Sequence, residues 1–305
     1  MKFGKLPDIS QVDFTLPADA SATAAVLQRD GDSTTPLQFY IGCTGWSMKE
    51  WVGKVYPAGA KTKDYLRHYA QQFNTIELNT THYRTPNKAT IDKWKAESTP
   101  DFRFCPKILQ AVSHSRNLGA GTGQLLEFCE AIQGLEEKLG CSFMQFPPYF
   151  GRDRLPLLES FLEKFPDHIP LALELRHESW FESEENQEAL FSMMEKYEVS
   201  TVITDVAGRR DVLHMRLTTP TAMIRFVGNG LDPTDYSRID DWVERIMSWQ
   251  ALGLREVYFF THEPDNLLAP DLAKYLCVKL QPFENVKTRG PKFYDDGVGE
   301  QMSLF

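Results

Sequence analysis

No Cys-x-x-Cys spacing occurs among the five cysteines of this 305-residue chain, Cys43, Cys105, Cys129, Cys141 and Cys277. An odd count without paired spacing argues against a disulfide framework or a structural zinc site, and fits a reducing compartment. Four of the five stand in apolar runs, where cysteine acts as a small hydrophobe. No uninterrupted apolar run approaches membrane-spanning length, and the opening MKFGKLPDIS lacks the apolar region of a secretory signal. The expected location is therefore the cytoplasm, with no membrane partner. There is no Gly-x-Ser-x-Gly elbow, no Walker loop and no pair of histidines at metalloprotease spacing. Basic residues are in deficit: 33 Lys and Arg against 42 Asp and Glu leave a net charge of −9. A broad basic face for duplex binding is disfavoured, although net charge says nothing about a local basic cleft.

What is present is alternation. Residues 1–36 are polar, without a sustained period, and read as an arm or extended cover. Residues 283–305 read as a second polar tail. Between them lie eight short apolar runs: 39–45, 75–79, 102–107, 142–147, 171–175, 200–205, 222–226 and 256–260. Their length and their β-branched and aromatic content predict buried strands. Most of the stretches between them have helical spacing, at 62–73, 122–138, 185–197, 238–252 and 268–280. Strand–helix alternation of this kind predicts parallel strands and a single (β/α)₈ TIM barrel over residues 37–282, with a doubly wound open sheet as the alternative. Only sixteen residues, 206–221, separate the sixth and seventh strands, so helix six is expected to be abbreviated.

Barrel active sites form at the C-terminal strand ends. Those ends carry Thr44, Gly45 and Trp46; Glu77, Asn79, His82 and Tyr83; Lys107 and His114; Gln145; Glu174, Arg176, His177 and Trp180; Asp205; Arg225 and Asn229; and Thr261, His262 and Glu263. Alternation along strand five sends Glu174 and Arg176 to the same side. A carboxylate beside a guanidinium suits phosphate or sugar hydroxyls, and His177 follows as a proton shuttle. We expect Glu174, His177 and Asp205 to serve acid–base catalysis. Trp46, Glu77, Tyr83, Lys107, Gln145, Arg176 and Arg225 are expected to bind substrate. The competing account is a structural ion-pair lattice, for example Glu174 with Lys107 and Asp205 with Arg225. The donor types would also suit zinc or manganese, but no metal site and no cofactor is assigned. The Gly119–Gly123 stretch could seat an anion and reads more simply as a loop.

These residues resemble those of the YecE-like family, domain of unknown function seventy-two, whose members are TIM barrels. The matching stretches are Gly45-Trp46, Trp51-Val52-Gly53, Tyr56-Pro57, Phe73-Asn74-Thr75-Ile76-Glu77-Leu78-Asn79 with Tyr83 and Pro86, and Phe102-Arg103-Phe104 with Lys107. Further matches are Gln145-Phe146-Pro147-Pro148, Glu174-Leu175-Arg176-His177, Ser179-Trp180-Phe181, Asp205 and Arg225. The chain departs from the family late, at Phe226-Val227-Gly228 and Thr261-His262. The resemblance implies the fold and says little about activity.

Three functions compete. The first is an enzyme acting on a phosphodiester or sugar phosphate, with a small anionic ligand or single-stranded nucleic acid as partner. The second is glycoside chemistry through paired carboxylates. The third is a non-catalytic module that binds nucleic acid or protein. A last feature is Gln301-Met302-Ser303-Leu304-Phe305, which resembles the motif by which bacterial repair and replication proteins dock on the DNA sliding clamp. In that reading Leu304 and Phe305 are apolar anchors and Gln301 supplies directional hydrogen bonds.

Overall fold

The eight apolar runs all become strands. The computed structural model describes residues 4–294 and begins with helix α1 (Ser21–Asp30). Then follow β1 (Leu37–Gly42), α2 (Tyr65–Gln72), β2 (Thr75–Leu78), α3 (Lys88–Glu97), β3 (Arg103–Pro106), α4 (Gln110–Ser113) and α5 (Gln124–Gln133). The chain continues through β4 (Ser142–Gln145), α6 (Leu155–Leu162), β5 (Leu171–Glu174), α7 (Glu184–Lys196), β6 (Ser200–Asp205), β7 (Thr221–Val227), α8 (Pro233–Leu252), β8 (Glu256–His262), α9 (Ala269–Leu280) and β9 (Val286–Arg289).

Among the described residues all strand pairings are parallel. Strands β4 to β8 pair in sequence, β8 pairs with β1, and β2 pairs with β3. Two seams complete the (β/α)₈ barrel. Between β3 and β4, Ile108 N donates to Phe143 O at 2.9 Å and Gly140 N to Phe104 O at 2.8 Å. Between β1 and β2, Glu77 N donates to Cys43 O at 3.1 Å. Below that point the Asn74 side chain stands in for a strand, accepting from Ile41 N at 2.7 Å and donating to Phe39 O at 3.0 Å.

The region expected as a polar tail supplies β9, which pairs with the first half of β1 from Leu37 to Tyr40. Its sequence, Val-Lys-Thr-Arg, has no apolar run to announce a strand; the free edge of β1 recruits it. Arg289 then bonds Ala70 O and pairs with Asp101 at 2.9 Å.

Helix six is abbreviated as expected, to one turn at Arg210–Val212. The vacancy is filled from the other end of the chain. Thr23 of α1 donates from Oγ1 to Met215 O at 2.9 Å and accepts from Leu217 N at 3.1 Å. Arg29 of α1 reaches Glu195 of α7, and the loop after α1 bonds the end of α8 through Asp32 N and Gly253 O. The polar arm thus contains a helix seated between α7 and α8. Upstream of it, Phe14 lies under the guanidinium of Arg238 at 4.7 Å, and Lys5 Nζ donates to Pro264 O at 3.3 Å beyond β8. The arm therefore reaches the C-terminal end of the barrel.

The barrel interior is apolar at its centre. Tyr40, Cys105, Cys141, Phe143, Ala172, Val202, Met223, Tyr258 and Phe260 form a separate buried cluster there. The larger clusters lie between strands and helices. The central cluster fixes which side chains face inward. With two-residue alternation, the next inward positions toward the mouth are Lys107, Gln145, Glu174, Thr204, Arg225 and His262. The five cysteines are all free and four are buried, so they act as packing groups. No helix among the described residues is long and apolar enough to cross a membrane.

Candidate functional site

The inward-facing polar side chains form one continuous hydrogen-bonded network over the apolar cluster. Arg225 is its centre. Its Nε and NH2 groups make a two-point contact with Glu77 of β2, both at 2.9 Å, and its NH1 group donates to Glu174 of β5 at 2.8 Å. Arg176 donates from Nε to the other Glu174 oxygen at 2.6 Å. Gln145 bridges the next two strands, donating to Glu174 at 2.7 Å and accepting from Lys107 Nζ at 2.9 Å. On the opposite side Glu77 accepts from Asn79 at 2.8 Å and meets His262 Nε2 at 2.8 Å. Glu77, Lys107, Gln145, Glu174, Arg176, Arg225 and His262 are all at least nine-tenths buried.

Burial at this depth makes an unpaired charge costly, so protonation follows the pairing. Burial alone would raise the Glu174 carboxyl; Arg176 and Arg225 outweigh it and hold it down at about 2. For Glu77, burial is likewise overcome by Arg225 and His262, and the carboxyl falls well below its ordinary value. Both carboxylates are ionised. The His262 ring is pushed down by burial, against the pull of Glu77, and is neutral at neutral pH. A neutral His262 facing an ionised carboxylate carries its proton on Nε2, which leaves Nδ1 as an acceptor. Burial, with Arg225 nearby, lowers the Lys107 ammonium to about 8.

A cavity of about 390 Å³ opens above this network. Lys107, Gln145, His262, Asn79, His82 and Tyr83 line it, together with Glu263 and Lys5. Tyr83 is exposed on the rim. His82 is fixed by its Nδ1 contact to Ile108 O at 2.8 Å and is pushed down to about 4 by burial. Trp46 lines an adjoining hollow that also touches Glu77 and Asn79, and its ring packs edge-on against Trp94 at 6.2 Å. Glu263 accepts from Gly230 N and Leu231 N, and so ties the loop after β7 to the end of β8. Burial raises its carboxyl to about 7.

The structure thus gathers Glu77, Lys107, Gln145, Glu174, Arg176 and Arg225, with Trp46 and Tyr83 at the margins. Two expected catalytic residues lie elsewhere. Asp205 has the outward parity on β6, because Val202 faces the barrel centre. It pairs with Arg210, with Arg238 of α8 at 2.9 Å, and accepts from Trp242 Nε1 at 2.8 Å. It is a buried bolt between barrel and helix, and the imagined Asp205–Arg225 pair does not form. The expected Glu174–Lys107 pair is mediated by Gln145 instead. His177 caps its own turn, its Nδ1 accepting from Ser179 N at 3.2 Å, and among the described residues it makes no hydrogen bond to the network. The Gly119–Gly123 loop lines an apolar hollow against Leu126 and Phe161 on the outer surface. Three of its glycines hold φ between 72° and 79°, a region that side chains rarely adopt. Among the described residues no three His, Cys, Asp or Glu side chains are grouped to hold a metal ion.

Sequence reasoning placed His262 and Asn79 at strand ends without giving them a role. Nothing local ties His262 to Glu77, which is 185 positions away. Lys5 carried no signal at all, since it belongs to the arm.

Fold and site together define a (β/α)₈ barrel protein with a buried, charge-paired network at the C-terminal mouth. Comparison with known proteins makes this specific: residues 40–293 match the family described as protein of unknown function DUF72, and the chain belongs to that family. It is 29% identical over 260 residues to the UPF0759 protein YecE of Escherichia coli K12, covering 79% of this chain and 92% of that one. It is 27% identical over 150 residues to the UPF0759 protein YunF of Bacillus subtilis 168, covering 47% and 52%. Among solved structures, a DUF72 family protein from Enterococcus faecalis V583 superposes with a TM-score of 0.63 at 20% identity, covering 83% of this chain and 98% of that one. One from Thermotoga maritima MSB8 gives 0.61 at 24% identity, covering 81% and 99%. These likenesses carry the fold.

Proposed function

We propose that this chain is an enzyme that binds a phosphorylated small molecule, a sugar phosphate or a phosphodiester, at the C-terminal mouth of its barrel. The observation that carries the reading is Lys107 at the cavity wall: its Nζ donates to the neutral Gln145 Oε1, and the nearby carboxylates Glu77 and Glu174 are already held by guanidinium groups. A ligand oxyanion in the cavity would give Lys107 a charged partner. Lys107 and Lys5 are the cations that line the cavity, while Arg225 and Arg176 hold the carboxylates beside it. Asn79, Gln145 and Tyr83 add polar and stacking groups suited to a sugar or base.

Acid–base work falls to His262 rather than to the residues first expected. Its Nε2 is oriented by Glu77, and its neutral Nδ1 can accept a proton. Glu174 is held ionised by two guanidinium groups and serves as their counter-ion. This also argues against Glu77 and Glu174 as the paired carboxylates of a glycosidase, one of which must stay protonated near neutral pH. Glu77 and Glu174 share one arginine and both stay charged.

Sulfate titration tests the charge argument, because sulfate keeps its charge between pH 6 and 9.5. The Lys107 proton is present below about 8 and lost above it. Sulfate binding is therefore expected to weaken as pH rises through about 8, and Lys107→Met is expected to bind weakly at every pH. Binding that stays level across the range, or is unaltered in Lys107→Met, would remove Lys107 from the site.

A second reading concerns a partner. Gln301, Leu304 and Phe305 lie outside the described residues, and the proposal that they dock on a bacterial sliding clamp rests on the order of residue types alone. A peptide of residues 295–305 is expected to bind the clamp, and Leu304→Ala with Phe305→Ala to abolish that binding. A peptide that fails to bind, or binds equally well after both substitutions, ends the idea.

A further inference from the structure

Two rings at the mouth are turned out of the fold. Among the described residues Tyr83 and Tyr149 are the most exposed of the large apolar side chains, at 76% and 68%. Both stand on firmly held backbone. Tyr149 follows Pro147-Pro148 and precedes Phe150, whose N–H donates to Pro147 O at 3.0 Å. The buried Phe150 ring stacks on Phe146 at 4.3 Å, and its carbonyl accepts from Trp180 Nε1 at 2.7 Å. Tyr83 ends the turn at Asn79–His82, where its N–H donates to Thr80 O at 3.3 Å. The two rings also lie along one continuous rim. Tyr83 packs on His82 at 5.3 Å, His82 on His114 at 5.5 Å, and Tyr149 Oη donates to His114 O at 3.4 Å. A flat ring left in water on a fixed backbone gives up little freedom when a ligand stacks on it.

The charge of this part of the mouth is opposite to that of the chain. The connections that follow β2, β3 and β4, residues 79–87, 107–126 and 146–154, carry Arg84, Lys107, Arg116, Arg152 and Arg154 against Asp153 alone. The connections after β7 and β8, residues 228–232 and 263–268, carry Asp232, Glu263 and Asp265 and no Lys or Arg. A chain of net charge −9 thus concentrates cations on the half of the mouth that also bears the exposed rings. Arg84 and Arg116 are exposed. Arg154 joins two of the loops, donating from NH1 to Arg116 O at 3.2 Å, and lies 3.5 Å from Asp153. Tyr83 belongs to both features, since it lines the cavity beside Lys107 and stands on this rim. Cations spaced among flat exposed rings suit a ligand that alternates phosphates with aromatic faces. A duplex hides its base faces, and this basic sector is too local for a broad duplex contact.

We propose that the rim formed by the loops after β2, β3 and β4 binds single-stranded nucleic acid, with bases stacked on Tyr83 and Tyr149 and backbone phosphates paired with Arg84, Arg116 and Arg154. This rests on the reading of the mouth as a phosphate site, and it names the phosphodiester as part of a strand that leaves the cavity past Tyr83. Stacking accepts any base, so the contact is tolerant of sequence. The phosphates supply attraction that salt weakens.

Fluorescence anisotropy of labelled oligo(dT) and oligo(U), about eight nucleotides long, titrated with the full chain tests this. Binding of a strand is expected, and the tighter of the two names the sugar. Tyr149→Ala and Tyr83→Ala are each expected to weaken it about fivefold or more, the cost of one lost stacked base. Arg116→Ala with Arg154→Ala is expected to flatten the slope of log affinity against log salt by about 1.4, two phosphate contacts on a single strand. A duplex of the same length and a poly-glutamate peptide of matched charge are both expected to bind more weakly. Binding of neither strand, binding unchanged by both tyrosine substitutions, or a duplex or poly-glutamate that binds as tightly as the strand overturns the proposal. D-ribose 5-phosphate titrated into the same preparation separates the two ideas. Sugar-phosphate binding without strand binding defeats the rim and leaves the cavity site standing. Strand binding without sugar-phosphate binding keeps the rim and defeats the cavity site, and absence of both defeats the two together.

Discussion

Replacing Arg225 by methionine is expected to destabilise the folded chain by about 3–5 kcal/mol, the usual cost of stripping a buried ion pair of one partner. Arg225 is fully buried and, among the described residues, is the one side chain that bonds both Glu77 and Glu174. Without it Glu77 keeps Asn79 and a neutral His262, and Glu174 keeps Gln145 and Arg176. Two carboxylates then face one guanidinium over an apolar floor, and Glu77 gains an incentive to take up a proton. Urea unfolding followed by tryptophan fluorescence measures the loss. Adding Glu77→Gln to Arg225→Met is expected to recover part of it, because the stranded charge is removed with its partner. A single mutant as stable as the parent would show that the network is not held by this arginine.

Lys107→Met is expected to weaken binding of D-ribose 5-phosphate roughly 10- to 100-fold at neutral pH, with little change in fold. One charge-assisted hydrogen bond is worth about 1.5–3 kcal/mol, and each 1.4 kcal/mol is a factor of ten in affinity. Lys107 Nζ lies at the cavity wall and gives one hydrogen bond to the neutral Gln145 Oε1. Methionine keeps the unbranched stem and removes the charge. Calorimetric titration of both proteins gives the ratio, and circular dichroism checks the fold. Affinity unchanged within about twofold would exclude Lys107 from the ligand contact.

The barrel was legible because its strands are short, apolar and regularly separated. Phe-Tyr-Ile-Gly, Thr-Ile-Glu-Leu and Leu-Ala-Leu-Glu announce themselves by composition. Helix α6, Leu-Pro-Leu-Leu-Glu-Ser-Phe-Leu, was missed despite its apolar content, but two other missed helices have little apolar signal to read. Helix α1 buries only Thr23, Val26 and Leu27, and α3 only Ile91 and Trp94. Strand β9 exists because the lower half of β1 offers an open edge, which is a tertiary fact. The site was legible where parity could be read. In β5 the inward line of Ala172 and Glu174 alternates with outward Leu173 and Leu175, so Glu174 was placed correctly. In β6 the run Ser-Thr-Val-Ile-Thr-Asp carries no alternation, and Asp205 was assigned to the pocket although Val202, not Ile203, faces the centre. The partners of each charge were the least legible feature, since Arg225 and Glu77 are 148 positions apart.

The central claim is that the mouth cavity receives a ligand phosphate at Lys107, and a crystal structure with bound D-ribose 5-phosphate tests it most directly. The expected result is a phosphate group in the cavity within hydrogen-bond distance of Lys107, with the Arg225 contacts to Glu77 and Glu174 intact. A sugar phosphate bound only at other surfaces, with the mouth occupied by solvent alone, would contradict the account.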